Sequence, residues 1–432
     1  MAIVAPTATP TGRPPDPRRL VAANNAAAAF YADQLVGDRA RGVRAYLRTR
    51  GLGDLVHHDR DSGQTQWTIG YAPPAWTALT QALRAAGFTD RELIAAGLSM
   101  STRDNRLVDR FRDRLTFAIR DPAGHLVAFI ARAAPAAGPA VPKYLNTPET
   151  AIYRKGTALF GVAEQHERIR AGWRPVLVEG PIDAIAVWLA YTPTARSGAV
   201  GIASCGTALT KAQAATLRAM PGAARGIVVA FDDDSAGHAA TERAWRELRD
   251  PYSPGPLLAA GLAGGDPADL LRAAGGRAAI RVAMETAVYP LLQAVVDHRV
   301  SHWTTRHPRL LEDIGGRCAV VQAIVPFVFE ASTAEQASHL AARVAARVGV
   351  SIETVAIAMA EHVGATVREA GVSIGREAAR MTRPSPAPDA ERPRGATVLA
   401  FPSPWTPRAP RRRGLPAAVG DQLLTRQDRS RR

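Results

Sequence analysis

Three acidic clusters carry the strongest chemical signal in this chain of 432 residues. Glu179-Gly180-Pro181-Ile182-Asp183 closes the apolar run Pro175–Glu179, Asp232-Asp233-Asp234 follows Gly226–Phe231, and Asp266-Pro267-Ala268-Asp269 follows Leu257–Leu262. On an extended segment Asp232 and Asp234 point to the same side. Two carboxylates about 4 Å apart repel by about 1 kcal/mol in water and several-fold more near a protein surface. A hard divalent cation relieves that repulsion, and Mg²⁺ takes a few carboxylates together with phosphate oxygens. Such sites serve phosphoryl and nucleotidyl transfer. Taken singly, each cluster reads more readily as helix capping, by Asp234 or Ser235 before Ala236–Leu248 and by Asp266 before the next helix. Three clusters, each at a strand end, favour the metal reading. Gly180 and Gly237 supply the small residues that tight turns after strands need.

The elements that must hold these acids alternate along the chain. Strands are expected at Pro175–Glu179, Ala199–Ala203, Gly226–Phe231 and Leu257–Leu262. Helices are expected at Ile182–Ala190, Lys211–Met220, Ala236–Leu248 and from Pro267. Strands alternating with helices predict a doubly wound parallel sheet, whose binding crevice lies at the carboxyl ends of the strands. Upstream the pattern is α+β. Helical spacing begins near Val21 and ends at Gly51, further helices are expected over Trp76–Ala86 and Asp90–Ala96, and two strands flank the turn Asp121-Pro122-Ala123-Gly124. From Ala278 to about His362 the spacing is helical, with Pro290, Pro308 and Pro326 as breaks, which predicts a helical bundle. The expected organisation is therefore a disordered leader over 1–20, an α+β region over 21–170, the α/β sheet over 171–276, the bundle over 277–365 and a largely disordered basic tail over 366–432.

Composition narrows the partners. No apolar run of about 18 residues occurs, so no transmembrane helix or membrane partner is expected. The leader lacks the apolar stretch of a signal peptide, which points to the cytoplasm. The two cysteines, Cys205 and Cys318, exclude a disulfide framework and a zinc ribbon, so no zinc is expected. The net charge of +15 favours polyanionic partners. Twelve Arg against four acids place +8 of it in residues 380–432, where Phe401 and Trp405 could stack on bases. Only Lys143, Lys155 and Lys211 break an otherwise all-Arg choice of cation.

EGPID and DDD resemble the glutamate and D-x-D motifs of the TOPRIM domain, shared by DnaG-type primases, topoisomerases and some nucleases. The flanking segments point to the primases. KYLNTPETAIYRKG (Lys143–Gly156) is similar to a signature that precedes the TOPRIM domain in DnaG-type primases. IGYAPPAW (Ile69–Trp76), DRFRDRLTFAIRDPAGHLVAF (Asp109–Phe129), YLRTRGL (Tyr46–Leu52) and ASCGTALT (Ala203–Thr210) also have counterparts there. The resemblance covers about residues 25–360. It implies metal binding or acid/base work by Glu179, catalytic metals at Asp232 and Asp234, and support from Asp183 and Asp266. It implies template and nucleotide contacts by Arg50, Arg110, Arg112, Arg132, Lys143, Tyr144, Asn146 and Lys155. A strand face with Arg110 and Arg112 paired to Asp109 and Asp113 is the plainer account of those two arginines.

The activity implied is synthesis of short RNA primers on single-stranded DNA from ribonucleoside triphosphates. Two or more Mg²⁺ or Mn²⁺ ions would take part, with a replicative helicase as a further partner. A TOPRIM nuclease and a non-catalytic single-stranded DNA-binding module of a replication complex are the rivals. Three departures from the family stand out. The zinc-binding and helicase-binding domains are expected to be missing, Asp233 replaces the usual middle Gly of D-x-D, and Ala268 replaces an Asp, leaving Asp269 to substitute.

Overall fold

An N-terminal helix, α1 (Pro17–Val36), starts where Asp16 accepts a hydrogen bond from the Arg18 N–H and Pro17 occupies the first turn. Proline is pre-organised there and has no N–H to leave unpaired. Residues 17–20 are therefore helical rather than part of a disordered leader. The computed structural model describes residues 14–55, 67–138, 140–192, 194–205, 208–250, 252–262 and 265–381. Phe401 and Trp405 lie outside them.

After α1 come α2 (Arg41–Thr49), β1 (Ile69–Ala72), α3 (Ala78–Ala85), α4 (Asp90–Ala95), β2 (Ser99–Ser101), β3 (Leu107–Asp109), β4 (Arg114–Arg120), β5 (Leu126–Ala133) and β6 (Tyr144–Asn146). Gly51, with φ +72°, ends the turn after α2 as expected. Strands β1, β4, β5 and β6 form an antiparallel sheet in that order, and β2 pairs with β3. Helix α1 covers one face of the larger sheet, burying Leu20, Ala23, Ala27 and Tyr31. The Tyr31 ring meets Phe129 edge-on with centroids 5.5 Å apart. Buried Asn24 donates to the Leu126 carbonyl at 3.2 Å. In β6 against β5, Tyr144 sits directly opposite Arg132.

Asp109 is not an ion-pair partner on a solvated face. It is buried, and its carboxylate accepts from the N–H groups of Leu79 and Thr80, both at 2.8 Å, and from the Thr80 hydroxyl at 2.6 Å. It thus satisfies the open N-terminus of α3 from a distant strand. Asp109→Ala is expected to destabilise the protein by about 2–4 kcal/mol, the effect of stranding several buried donors at once. Urea unfolding measures it, and a loss near zero would refute this role.

The second half runs α5 (His166–Arg170), β7 (Arg174–Val178), α6 (Pro181–Leu189), β8 (Ala199–Ala203), α7 (Lys211–Arg218), β9 (Ile227–Ala230), α8 (Ser235–Leu248), β10 (Leu257–Ala260), α9 (Pro267–Arg272), α10 (Gly276–Glu285) and β11 (Val288–Pro290). The sheet order is β11-β10-β9-β7-β8. Strands β8, β7, β9 and β10 are mutually parallel, as the alternation predicts. The sheet is not wholly parallel, however, because β11 adds an antiparallel edge. Phe160 forms a two-hydrogen-bond bridge with Ala203 of β8. Its ring stacks on Trp67 at 5.1 Å and meets Phe117 of β4 at 6.2 Å, so one core joins the two sheets.

Helices α11 (Leu291–Arg306), α12 (Ile314–Val328), α13 (Ala334–Val348) and α14 (Ile352–Met381) complete the described chain. Pro290 and Pro308 mark helix boundaries, but Pro326 lies within α12, two residues before its end. A proline in the last turn has little helix left to disrupt. Helix α14 continues to Met381, well past the expected bundle limit at 365. Among the described residues no helix is long and apolar enough to cross a membrane.

Candidate nucleotidyl-transfer site

Parallel pairing of β7 with β9 aligns Val178 with Ala230, so Glu179 and Asp232 leave the same edge of the sheet. Glu179 Oε1 accepts from the Asp232 N–H at 3.2 Å. Pro181 starts α6 directly after the strand, which places Asp183 in its first turn. Asp266 caps α9 by accepting from the Asp269 N–H at 2.6 Å. Glu179, Asp183, Asp232 and Asp266 converge on one cavity with Arg50, Arg132, Lys143 and Tyr144. Its floor is acidic and its rim basic, the polarity a metal–triphosphate complex requires.

Asp234 stands beside this cavity. Its Oδ1 accepts from the N–H groups of Ala236 at 2.9 Å and Gly237 at 2.8 Å, capping α8. The capping account of Asp234 and Asp266 therefore holds, and it coexists with their place around the acidic cluster. Gly237 is required by packing, since a Cβ there would lie 2.0 Å from the Asp232 carbonyl oxygen.

The carboxylates are electrostatically uncomfortable. Burial, then Asp232, raises Glu179 above the usual carboxylate range. Burial, then Asp266, raises Asp232. Asp183 is buried, and burial followed by Asp266 and Asp232 raises it strongly. Its Oδ1 is enclosed without a hydrogen-bond partner. An orphaned oxygen among repelling carboxylates fits a divalent cation. Raised folded pKa values mean that the native state holds extra protons. Their stabilising contribution is full below the ordinary range near pH 4 and is lost as pH rises through the raised values. Asp183→Asn is accordingly expected to melt higher than the wild type without metal, by a margin that widens from about pH 4 toward neutrality. A margin that stays flat or reverses, in melting curves across that range, would contradict this electrostatic account.

The basic rim is built on aromatic rings. The Arg50 guanidinium lies over Tyr46 at 5.6 Å, its Nε donates to the Tyr46 hydroxyl at 3.2 Å, and Nη1 reaches Asp269 at 2.6 Å. Arg132 lies between Tyr46 at 5.3 Å and Tyr144 at 5.5 Å, and donates to the Tyr144 hydroxyl at 3.0 Å. Tyr46 organises both cations, a role its place one turn before Arg50 on α2 could have suggested. The Ala268 position is a buried apolar wall, while Asp269 pairs with Arg50 instead of joining the cavity.

Four expected contact residues lie outside this cavity. Arg110 Nε donates to the Asn146 carbonyl at 3.0 Å, and Asn146 Nδ2 donates to the Cys205 carbonyl at 2.8 Å. Arg112 packs on the half-exposed Trp76 ring at 4.4 Å and donates to the Asp109 carbonyl. The Lys155 N–H donates to Glu149 at 2.7 Å. On the opposite side of Asp232, Asp233, Tyr289 and His298 line a second cleft. Cys205 and Cys318 are free thiols.

Comparison with known proteins agrees with this architecture. Residues 30–166 match the family model for the DNA primase catalytic core, N-terminal domain, and residues 176–255 match a Toprim-like model. A DNA primase of Streptomyces coelicolor is 33% identical over 397 residues, covering 91% of this chain and 56% of that protein. The chain thus spans about half the length of the curated relatives it matches. The crystal structure of the RNA polymerase domain of Mycobacterium tuberculosis primase DnaG is similar with 32% identity and a TM-score of 0.60, over 77% of this chain and 99% of that one. The same domain in complex with a double-stranded DNA oligomer bearing a 6-nucleotide overhang gives 33% and 0.58, over 78% and 99%.

Proposed function

Because the chain belongs to the DnaG-type DNA primase catalytic core family with its Toprim domain, we propose that it synthesises short RNA primers on single-stranded DNA by metal-dependent nucleotidyl transfer. The observation that carries this reading is the convergence of Glu179, Asp183, Asp232 and Asp266 with Arg50, Arg132 and Lys143 around one cavity. The carboxylates would hold Mg²⁺ or Mn²⁺, with Asp234 at the margin. When bound, these ions neutralise triphosphate charge and lower the cost of generating the attacking oxygen.

The chain's own part is positioning. Arg50, Arg132 and Lys143 engage triphosphate oxygens, and the Tyr46 and Tyr144 rings hold two of these cations in place. In the reaction the 3′-hydroxyl oxygen of one ribonucleotide bonds to the α-phosphorus of the next. The bond to pyrophosphate breaks and the hydroxyl proton passes to water. Arg112 and Lys155 continue the basic surface toward the template, while Arg110 and Asn146 support it through the hydrogen bonds that tie β6 to the loop at Cys205. Template affinity should fall steeply with salt, as counterion release requires. A cytoplasmic setting and a replicative helicase partner fit this activity.

Incubating the chain with a labelled single strand, ribonucleotides and Mg²⁺ or Mn²⁺ tests the reading. Extended ribonucleotide products are expected. Shortened DNA would indicate a nuclease instead, and binding without synthesis a non-catalytic module.

A further inference from the structure

We propose that Asp233, His238 and His298 form a binding site for a transition-metal ion of the Zn²⁺ or Co²⁺ class, distinct from the carboxylate cavity but built on the same loop. Asp233 lies between Asp232 and Asp234, His238 is in the first turn of α8, and His298 is in the middle of α11. One ligand atom from each lies within 4.8 Å of the other two. Asp233 Oδ1 is 2.7 Å from His238 Nε2, and the two imidazole rings stack with centroids 3.7 Å apart. His298 Nδ1 is enclosed and has no hydrogen-bond partner.

The donor set decides the ion. Two imidazoles and one carboxylate suit Zn²⁺, Co²⁺ or Ni²⁺, with a fourth position for water. Mg²⁺ prefers oxygen ligands and would remain with the carboxylate cavity. Bonds of about 2.1 Å in tetrahedral geometry require ligands about 3.4 Å apart. The stacked rings must splay apart before both imidazoles can aim a nitrogen at one ion, and Asp233, with its side chain 71% exposed, has room to follow. Nearby acids are already committed. Glu242 pairs with Arg299, and Asp297 with Arg343 at 2.7 Å and Arg347 at 3.0 Å.

Such an ion would tie α8 to α11 and fasten the loop that carries Asp232 and Asp234. Substituting Asp for the Gly usual at this position in D-x-D supplies the third ligand. Occupancy would then restrain Asp232, which lines the nucleotide cavity, and Asp234 at its margin.

Titrating the full chain with Co²⁺ in excess Mg²⁺, without nucleotide, tests this. Saturable one-to-one binding with visible d–d absorption is expected. His238→Ala and Asp233→Asn should each weaken it by at least about tenfold, the loss that removing even an outer-shell partner of a metal ligand causes. His238→Ala combined with His298→Gln should abolish it, and Glu179→Gln should leave it unchanged. Absence of the absorption in the wild type, its persistence in the histidine variants, or its loss in Glu179→Gln would overturn the proposal. The change at exposed Asp233 keeps the test valid even where a substitution of the half-buried His238 or His298 perturbs folding. Because no primer synthesis is read out, the result is independent of the proposed activity.

Discussion

Asp232→Asn should lower primer synthesis by about 10³-fold while leaving the protein folded. Asn keeps the size of Asp and the backbone N–H that donates to Glu179, but it removes one of four anionic ligand positions around the cavity. Loss of a charge-stabilising group at a reacting centre typically costs about 10²–10³ in rate, and a shared metal site makes the loss larger than for a lone donor. Stability should move the other way. The Asp232 carboxylate is disfavoured by burial and by Asp266, so the neutral amide relieves repulsion in the metal-free protein. Extension assays paired with melting curves separate the two effects. Activity within threefold of wild type would remove Asp232 from the proposed chemistry.

Gly237→Ala tests the loop's position instead of its charge. The added methyl would lie 2.0 Å from the Asp232 carbonyl oxygen and 3.2 Å from the Asp232 nitrogen. Ordinary contact requires more than 1 Å of movement, and the hydrogen bond from Gly237 N–H to Asp234 pulls against it. A displacement of that size costs about 10²-fold in a positioned reaction. Overpacking should destabilise the fold by about 1–3 kcal/mol. Single-turnover dinucleotide formation and urea unfolding would register both. Near wild-type values would show that the loop has slack and that its placement by α8 is unimportant.

The α/β half was legible because its strands are short apolar runs separated by helices of ordinary length. That pattern located β7, β8, β9 and β10 within a residue or two and put Glu179 and Asp232 at one edge. The antiparallel β11 escaped because Val288–Pro290 is only three residues long and is enclosed by helical spacing. The start of α1 escaped because five prolines masked the Asp16 cap. Arg50, Arg132 and Lys143 were legible only through resemblance. Their convergence depends on the pairing of β6 with β5 and on packing between sheets, which spacing along the chain does not encode. The same is true of His238 and His298, sixty positions apart and on different helices.

On the proposed chemistry, carboxylates from separate strand ends share divalent cations that bind a triphosphate. Anomalous diffraction from crystals soaked in Mn²⁺ and a non-hydrolysable ribonucleoside triphosphate would locate those cations. Manganese peaks are expected among Glu179, Asp183, Asp232 and Asp266, with phosphate density facing Arg50, Arg132 and Lys143. Nucleotide bound with no manganese at those carboxylates, or manganese confined to Asp233 and the two histidines, would contradict the account.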